Sequence, residues 1–231
     1  MKEDQKRLAG TAAAQKVKDG MTVSLGTGST AYYVVMELAR RVKEEGLSIR
    51  CVSTSEATAK IARENGIEIL DLNDVKHIDI ALDGVDEIDP EFRSIKGGGG
   101  ALLREKIAAG LSDEVWWVMD ASKPVARLGA FPLPVEVVTY GLDRIREKME
   151  ALGYNPTIRM KDGEVFVTDQ GNRILDLHLP EDVHPFDVHK TVLAWPGVVE
   201  TGCFAPICSG IFIGKDDGVE VRENAEAVRY Y

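Results

Sequence analysis

The chain has 231 residues, 44% of them hydrophobic and 29% charged, a balance that suits a globular protein with one large domain or a large and a small one. Its formal net charge of -10 argues against nucleic acid as the main partner, because a phosphate backbone needs a basic face. No apolar run is long enough to span a bilayer and the first ten residues lack the apolar core of a secretion signal, so no membrane partner is expected and the expected compartment is the cytoplasm.

Taken in chain order, residues 2–18 read as a helix with Leu8, Ala12 and Val17 among its apolar positions. Residues 21–25 form a short apolar strand, followed by Gly26-Thr27-Gly28-Ser29-Thr30. Residues 31–45 are helical, with Val34, Val35, Leu38 and Val42 at helical spacing. A strand at 49–53 leads into Thr54-Ser55-Glu56, which opens a helix to about residue 65, closed by Gly66. Short strands follow at 68–70 and 78–82. The second ends in Asp83-Gly84-Val85-Asp86-Glu87-Ile88-Asp89. Lys96 and four glycines, Gly97 to Gly100, then open a helix at 101–110, and a strand at 115–119 ends in Asp120-Ala121-Ser122-Lys123.

From about residue 131 the texture changes. A strand at 133–138, a helix at 140–152, strands at 157–160 and 164–168 around the turn Lys161-Asp162-Gly163, a strand at 173–179, a helix at 183–195 and a strand at 198–204 resemble the order β-α-β-β-α-β with an extra strand. A final hairpin, 211–214 with 219–222, is expected to return to the first part. The expected fold class is therefore α/β: a Rossmann-like, mostly parallel sheet domain (1–130 and 207–231), expected to be catalytic, with a smaller ferredoxin-like α+β domain (131–206).

Cys51, Cys203 and Cys208 are an odd, sparse set, read as reduced thiols. His77, His178, His184 and His189 are scattered, and nothing suggests a metal site. The informative clusters each follow a strand. In an open parallel sheet, ligands bind outside the carboxyl ends of the strands, so these clusters should gather on one edge.

Gly26 to Thr30 offers backbone N–H groups at a helix start plus three hydroxyls, which suits a phosphate; a capped tight turn is the plainer reading. The spacing also fits a dinucleotide turn, but Val52-Ser53 stands where that site wants an acidic residue. Asp83 and Asp86 are like charges on one loop, where carboxylates make good acceptors for sugar hydroxyls, whereas Glu87 and Asp89 read as a solvated acidic turn. Glu105 reads either as a helix-dipole partner or as a catalytic carboxylate, and Lys123 either as an exposed cation or as a ligand for phosphate or sugar oxygens.

Together GTGST, DGVDEID, KGGGGALLREK, DASK and FPLPVEVV resemble ribose-5-phosphate isomerase of type A, in that family's order from the first helix to the final hairpin. The resemblance implies interconversion of ribose 5-phosphate and ribulose 5-phosphate in the pentose phosphate pathway, without metal or organic cofactor, by a homodimer or homotetramer. It makes Glu105 the general base. It places Thr27, Gly28, Ser29 and Thr30 in the substrate loop. Asp83, Gly84, Val85 and Asp86 fall in the sugar-contacting loop, and Lys96, Gly97, Gly98 and Gly99 in a second one. Lys123 is the matching binding lysine, and Lys6 is a looser match for the phosphate site. Gly100 stands where relatives carry alanine, a change expected to be small, and the segment from Cys203 to Cys208 is expected to lie away from the motifs. In the chemistry implied, Asp83 or Lys96 assists ring opening, Glu105 moves the proton between C2 and C1, and Asp86 is counted among the catalytic residues. A sugar-phosphate-sensing module, a CoA transferase-like enzyme of related fold and a NAD-dependent oxidoreductase are the competing readings.

Overall fold

The computed structural model describes residues 1–230, which fall into two compact units. The first comprises residues 1–85, 104–123 and 206–231 and the second residues 86–103 and 124–205.

A six-stranded sheet organises the first unit, in the order Gly218–Glu223, Gly210–Lys215, Ser112–Asp120, Ile78–Asp83, Thr22–Leu25, Arg50–Ser53. Every pairing is parallel except that of the final hairpin, which joins this sheet as expected. The strand expected at 68–70 is reduced to one parallel bridge, Ile69 to Cys51, beyond the Arg50–Ser53 edge. Counting that bridge, the first three strands run outward in one direction and the later ones in the other, so the order reverses between Thr22–Leu25 and Ile78–Asp83. That reversal is the topological switch point of a doubly wound sheet.

The sheet's central strands are apolar on both faces, as parallel strands covered by helices require: Val23, Leu25, Ile80, Leu82 and Val118 on one face and Ala81, Val115, Trp117 and Met119 on the other are at most 3% exposed. The helix Ser29–Glu45 lays Val34, Val35, Leu38 and Ala39 into this core and ends at Gly46, whose φ of +71° continues no helix. Its outer face carries Arg40, bonded to Glu37, Glu44 and Glu45. The helix Lys2–Ala14 packs tightly on it. A side-chain carbon on Gly10 would come within 2.7 Å of Tyr33 Cβ.

In the second unit, a four-stranded antiparallel sheet runs in the order Val198–Thr201, Leu133–Val137, Arg173–Leu177, Pro156–Ile158. With the helices Leu142–Ala151 and Pro185–Val192 this is the split β-α-β-β-α-β arrangement read from the sequence. Its core joins Leu133, Val135, Val137, Met149, Leu175, Leu177, Val188 and Val192. Met160–Lys161 and Glu164–Val165 form the hairpin, with Asp162 and Gly163 both at positive φ as a tight turn of this hand demands.

The division differs from the sequence-based one, because residues 86–103 go with the second unit. Three very short strands explain it. Ser94–Ile95 pairs with Glu87–Ile88 on one side and with Cys203–Phe204 on the other. The strand expected at 198–204 therefore breaks at Gly202, and its last two residues join a different sheet.

Cys51, Cys203 and Cys208 are free and buried. Burial pushes the thiols of Cys51 and Cys208 up to about 12. A thiol reagent at pH 8 is therefore expected to label none of the three in the folded protein and all three after denaturation, as counted by intact mass.

Candidate active site

Gly26 sits at the switch point. Its N–H donates to Leu82 O at 2.9 Å, and any side chain there would collide with the Asp83 carboxylate. Asp83 is 4% exposed and uses Oδ1 to accept from Thr27 N at 2.9 Å and Gly84 N at 2.6 Å. This carboxylate pins the turn that follows the first strand. Thr27 Oγ1 shares a 2.7 Å hydrogen bond with Thr54 Oγ1, and Thr54 N donates to Leu25 O. Thr54, a buried strand-end residue that opens the Thr54-Ser55-Glu56 segment, is thus part of the turn's support.

Gly28, at a φ of +105°, precedes the helix Ser29–Glu45, whose N-terminus has neither a side-chain cap nor an acidic residue in its first turn. Ser29 is exposed and Thr30 buried. Lys6, on the first helix, donates from Nζ to Ser29 Oγ at 2.9 Å. An uncapped helix start with an ammonium beside it suits an anion on physical grounds. Glu3 lies 3.4 Å from Lys6 Nζ, and its other oxygen accepts from Tyr33 OH at 2.7 Å.

Glu105 lies in the first turn of the helix Leu102–Gly110 and is 4% exposed. Its neighbour Arg104, half-buried, donates to Glu56 Oε1 at 2.9 Å, tying this helix to Glu56–Glu64. Lys123, half-buried, follows a turn built by Asp120, which accepts from Ser122 N at 2.9 Å and from Ser122 Oγ at 2.5 Å. Burial alone would raise the Asp120 pKa; the Ser122 donors, then Lys123 and Lys2, outweigh it and hold the carboxyl below the ordinary value. The stability this adds is present above the ordinary carboxylate pKa and is lost as the pH falls through the lower folded value.

In the second unit Lys96 follows the central strand Ser94–Ile95 and is 2% exposed. Its N–H donates to Gly202 O at 2.9 Å, and its Nζ lies 5.5 Å from the centre of the Phe204 ring. A side chain at Gly202 would run into the Lys96 carbonyl. The segment around Cys203 therefore supports Lys96 directly, against the expectation that it lies away from the motifs. Asp86 accepts from Gly98 N at 2.7 Å, and Gly100 N donates to Gly97 O at 3.0 Å.

Asp83 and Asp86 thus divide their labour, one pinning the first turn and the other the glycine loop. Backbone N–H groups compensate both charges. Val85, between them, is buried. Glu87 and Asp89 are not a solvated turn. Glu87 is 4% exposed and accepts from Gly129 N and Phe131 N, both at 2.7 Å, while Asp89 holds Arg93 at 2.7 Å and the N–H groups of Glu91 and Arg93.

The model of the family described as ribose 5-phosphate isomerase A (phosphoriboisomerase A) matches residues 50–218. A ribose-5-phosphate isomerase A from Streptococcus uberis is 49% identical over 221 residues, spanning 96% of this chain and 98% of that protein. The chain belongs to the ribose 5-phosphate isomerase A family. It is an aldose–ketose isomerase, which sets aside the sensing-module, CoA transferase-like and oxidoreductase readings. Solved members agree in fold. The ribose 5-phosphate isomerase A of Methanocaldococcus jannaschii has a TM-score of 0.89 at 34% identity, over 96% of this chain and 99% of that one. A D-ribose-5-phosphate isomerase in complex with phospho-erythronic acid has a TM-score of 0.92 at 34% identity, over 97% and 100%.

In this isomerase the glycine loop departs from expectation at Gly100. Its φ is +82°, and an added side-chain carbon would meet the Phe166 ring. Gly100→Ala is therefore not a small change. It is expected to lower the free energy of unfolding by about 2–4 kcal/mol, combining left-handed strain with overpacking, as measured by urea denaturation.

Proposed function

We propose that this isomerase interconverts D-ribose 5-phosphate and D-ribulose 5-phosphate through a cis-enediolate, with Glu105 carrying the proton between C2 and C1. This places it in the non-oxidative pentose phosphate pathway. Thr27 to Thr30 hold the phosphate with Lys6 and Lys123, and Asp83 to Asp86 meet the sugar hydroxyls. Lys96 and the loop N–H groups stabilise the oxyanion as it develops.

The observation that carries this reading is the burial of two ionisable side chains, Lys96 at 2% and Glu105 at 4% exposure, at the two ends of one ten-residue segment. Burying charges is costly, and such groups concentrate where chemistry uses them. The loop's own bonding refines the donor set. Gly98 N–H is taken by Asp86 and Gly100 N–H by Gly97 O, which leaves Gly97 and Gly99 as the N–H groups assigned to the sugar. Asp83 Oδ1 holds the turn, and ring opening is assigned to Lys96 or Asp83. The family member solved with phospho-erythronic acid is consistent with an enediolate route, since a phosphorylated sugar acid shares an anionic planar end and a phosphate with the enediolate.

The direct test is incubation of the pure protein with ribose 5-phosphate in excess chelator. Ribulose 5-phosphate is expected to accumulate to equilibrium, and absence of turnover would reject the reading. We place the enzyme in the cytoplasm as a homodimer or homotetramer, a state that light scattering on the eluting peak reports.

A further inference from the structure

Within the second unit, the glycine loop is gripped from a side that no motif announces. Arg159 lies between the strand Pro156–Ile158 and the hairpin strand Met160–Lys161, and its N–H is fixed on Ile174 O at 2.9 Å. Its guanidinium makes a two-pronged contact with Asp176, Nε to Oδ2 at 2.9 Å and Nη2 to Oδ1 at 2.5 Å. The remaining arm, Nη1, donates to Gly97 O at 2.5 Å and reaches Gly98 O at 3.3 Å. The two side chains are 13% and 15% exposed, and Asp176 sits on the strand Arg173–Leu177 of the four-stranded sheet.

The peptide between Gly97 and Gly98 is thereby held at both ends. Its carbonyl is taken by Arg159 and its N–H by the Asp86 carboxylate. Glycines have wide φ/ψ freedom, and a peptide flanked by two of them turns over readily. Turning this one over would point a carbonyl at a carboxylate and an N–H at a guanidinium, losing both bonds at once. The neighbouring peptide planes, which carry the Gly97 and Gly99 N–H groups, join this one at the Gly97 and Gly98 Cα atoms, so fixing it removes one loose end from each.

We propose that Arg159 and Asp176 are positioning residues for the isomerisation, locking the Gly97–Gly98 peptide so that the loop presents its donors to the sugar in one orientation. The inference rests on the assignment of this loop to the sugar oxygens. It gives the small antiparallel sheet a part in the chemistry, because the lock is anchored on one of its strands through Asp176 and just past the end of another through Arg159. Arginine suits the task and lysine does not, since only the planar fork can hold a carboxylate with two N–H groups and a carbonyl with a third.

The test is steady-state kinetics of Arg159→Met, Arg159→Lys, Asp176→Asn and the double variant Arg159→Met/Asp176→Asn, with inorganic phosphate as a competitive probe of the first unit's anion site. Loss of orientation at the reacting centre is expected to lower kcat of Arg159→Met by about 10–100-fold. KM and the phosphate inhibition constant should move by less than about threefold. Arg159→Lys and Asp176→Asn should lose less, and the double variant no more than Arg159→Met, as expected of residues acting through one contact. Should Arg159→Met fail to fold, the milder two variants carry the same test. A folded variant set with wild-type kcat overturns the proposal. So does a loss in which phosphate binding and thermal stability fall together with kcat, the signature of general structural damage. Glu105→Gln, assayed alongside, separates the two levels. If it retains turnover, the underlying site assignment fails. If it is inactive while Arg159→Met turns over normally, only the lock is refuted.

Discussion

Glu105→Gln is expected to lower kcat by about 10²–10⁴-fold, the range that a positioned general base contributes, while KM for ribose 5-phosphate changes little. The substitution keeps the shape of the side chain and removes only its capacity to take a proton. Glu105 is 4% exposed in the first turn of its helix, and its neighbour Arg104 ties that turn to Glu56. The amide therefore fits where the carboxylate did, and the fold survives. A fall in kcat with KM intact separates loss of chemistry from loss of binding. The coupled assay for ribulose 5-phosphate formation reads both. A variant that loses affinity in proportion to rate would make Glu105 a substrate contact rather than the base.

Lys96→Met should be nearly as severe, with kcat lowered by about 10²–10³-fold, the typical consequence of removing one preorganised oxyanion donor. The ammonium is the one full positive charge on the loop, and the glycine N–H groups supply only partial charges. Methionine keeps a side chain of similar length, and the main-chain bond from Lys96 N to Gly202 O does not involve the side chain. Removing one member of a buried charged contact destabilises a fold, so the melting temperature should fall while turnover, assayed well below it, collapses. A folded variant that keeps its turnover would show that Lys96 serves the fold alone.

Much of this was legible in the chain because the signals are local. Each of GTGST, DGVDEID and DASK directly follows an apolar strand, and strand-then-turn order in a parallel sheet places such turns at one edge. The β-α-β-β-α-β series was readable for the same reason, from alternating strands, a Lys-Asp-Gly turn and two amphipathic helices. What escaped depends on contacts between distant residues. Glu87 and Asp89 look like surface charges in a run of acids, yet the Glu87 partners are backbone N–H groups of Gly129 and Phe131. Two-residue strands such as Ser94–Ile95 leave no periodicity to detect, so residues 86–103 could not be assigned to the second unit from pattern alone. Asp176 is an ordinary polar residue on a strand and Arg159 one just past a strand's end, and only the register of Pro156–Ile158 against Arg173–Leu177 brings them together. The glycine run was read as room for substrate. Much of its necessity comes from the protein itself, from Asp86 against Gly98 and Phe166 against Gly100.

The central claim is that one carboxylate moves one proton between adjacent carbons of the sugar, and isotope exchange tests it most directly. In heavy water the parent enzyme should introduce solvent deuterium at C2 of ribose 5-phosphate as it equilibrates with ribulose 5-phosphate, followed by proton NMR. Glu105→Gln, shown to be folded and saturated with substrate, should leave the C2 proton in place. Exchange at C2 by that variant at the parent rate would contradict the account.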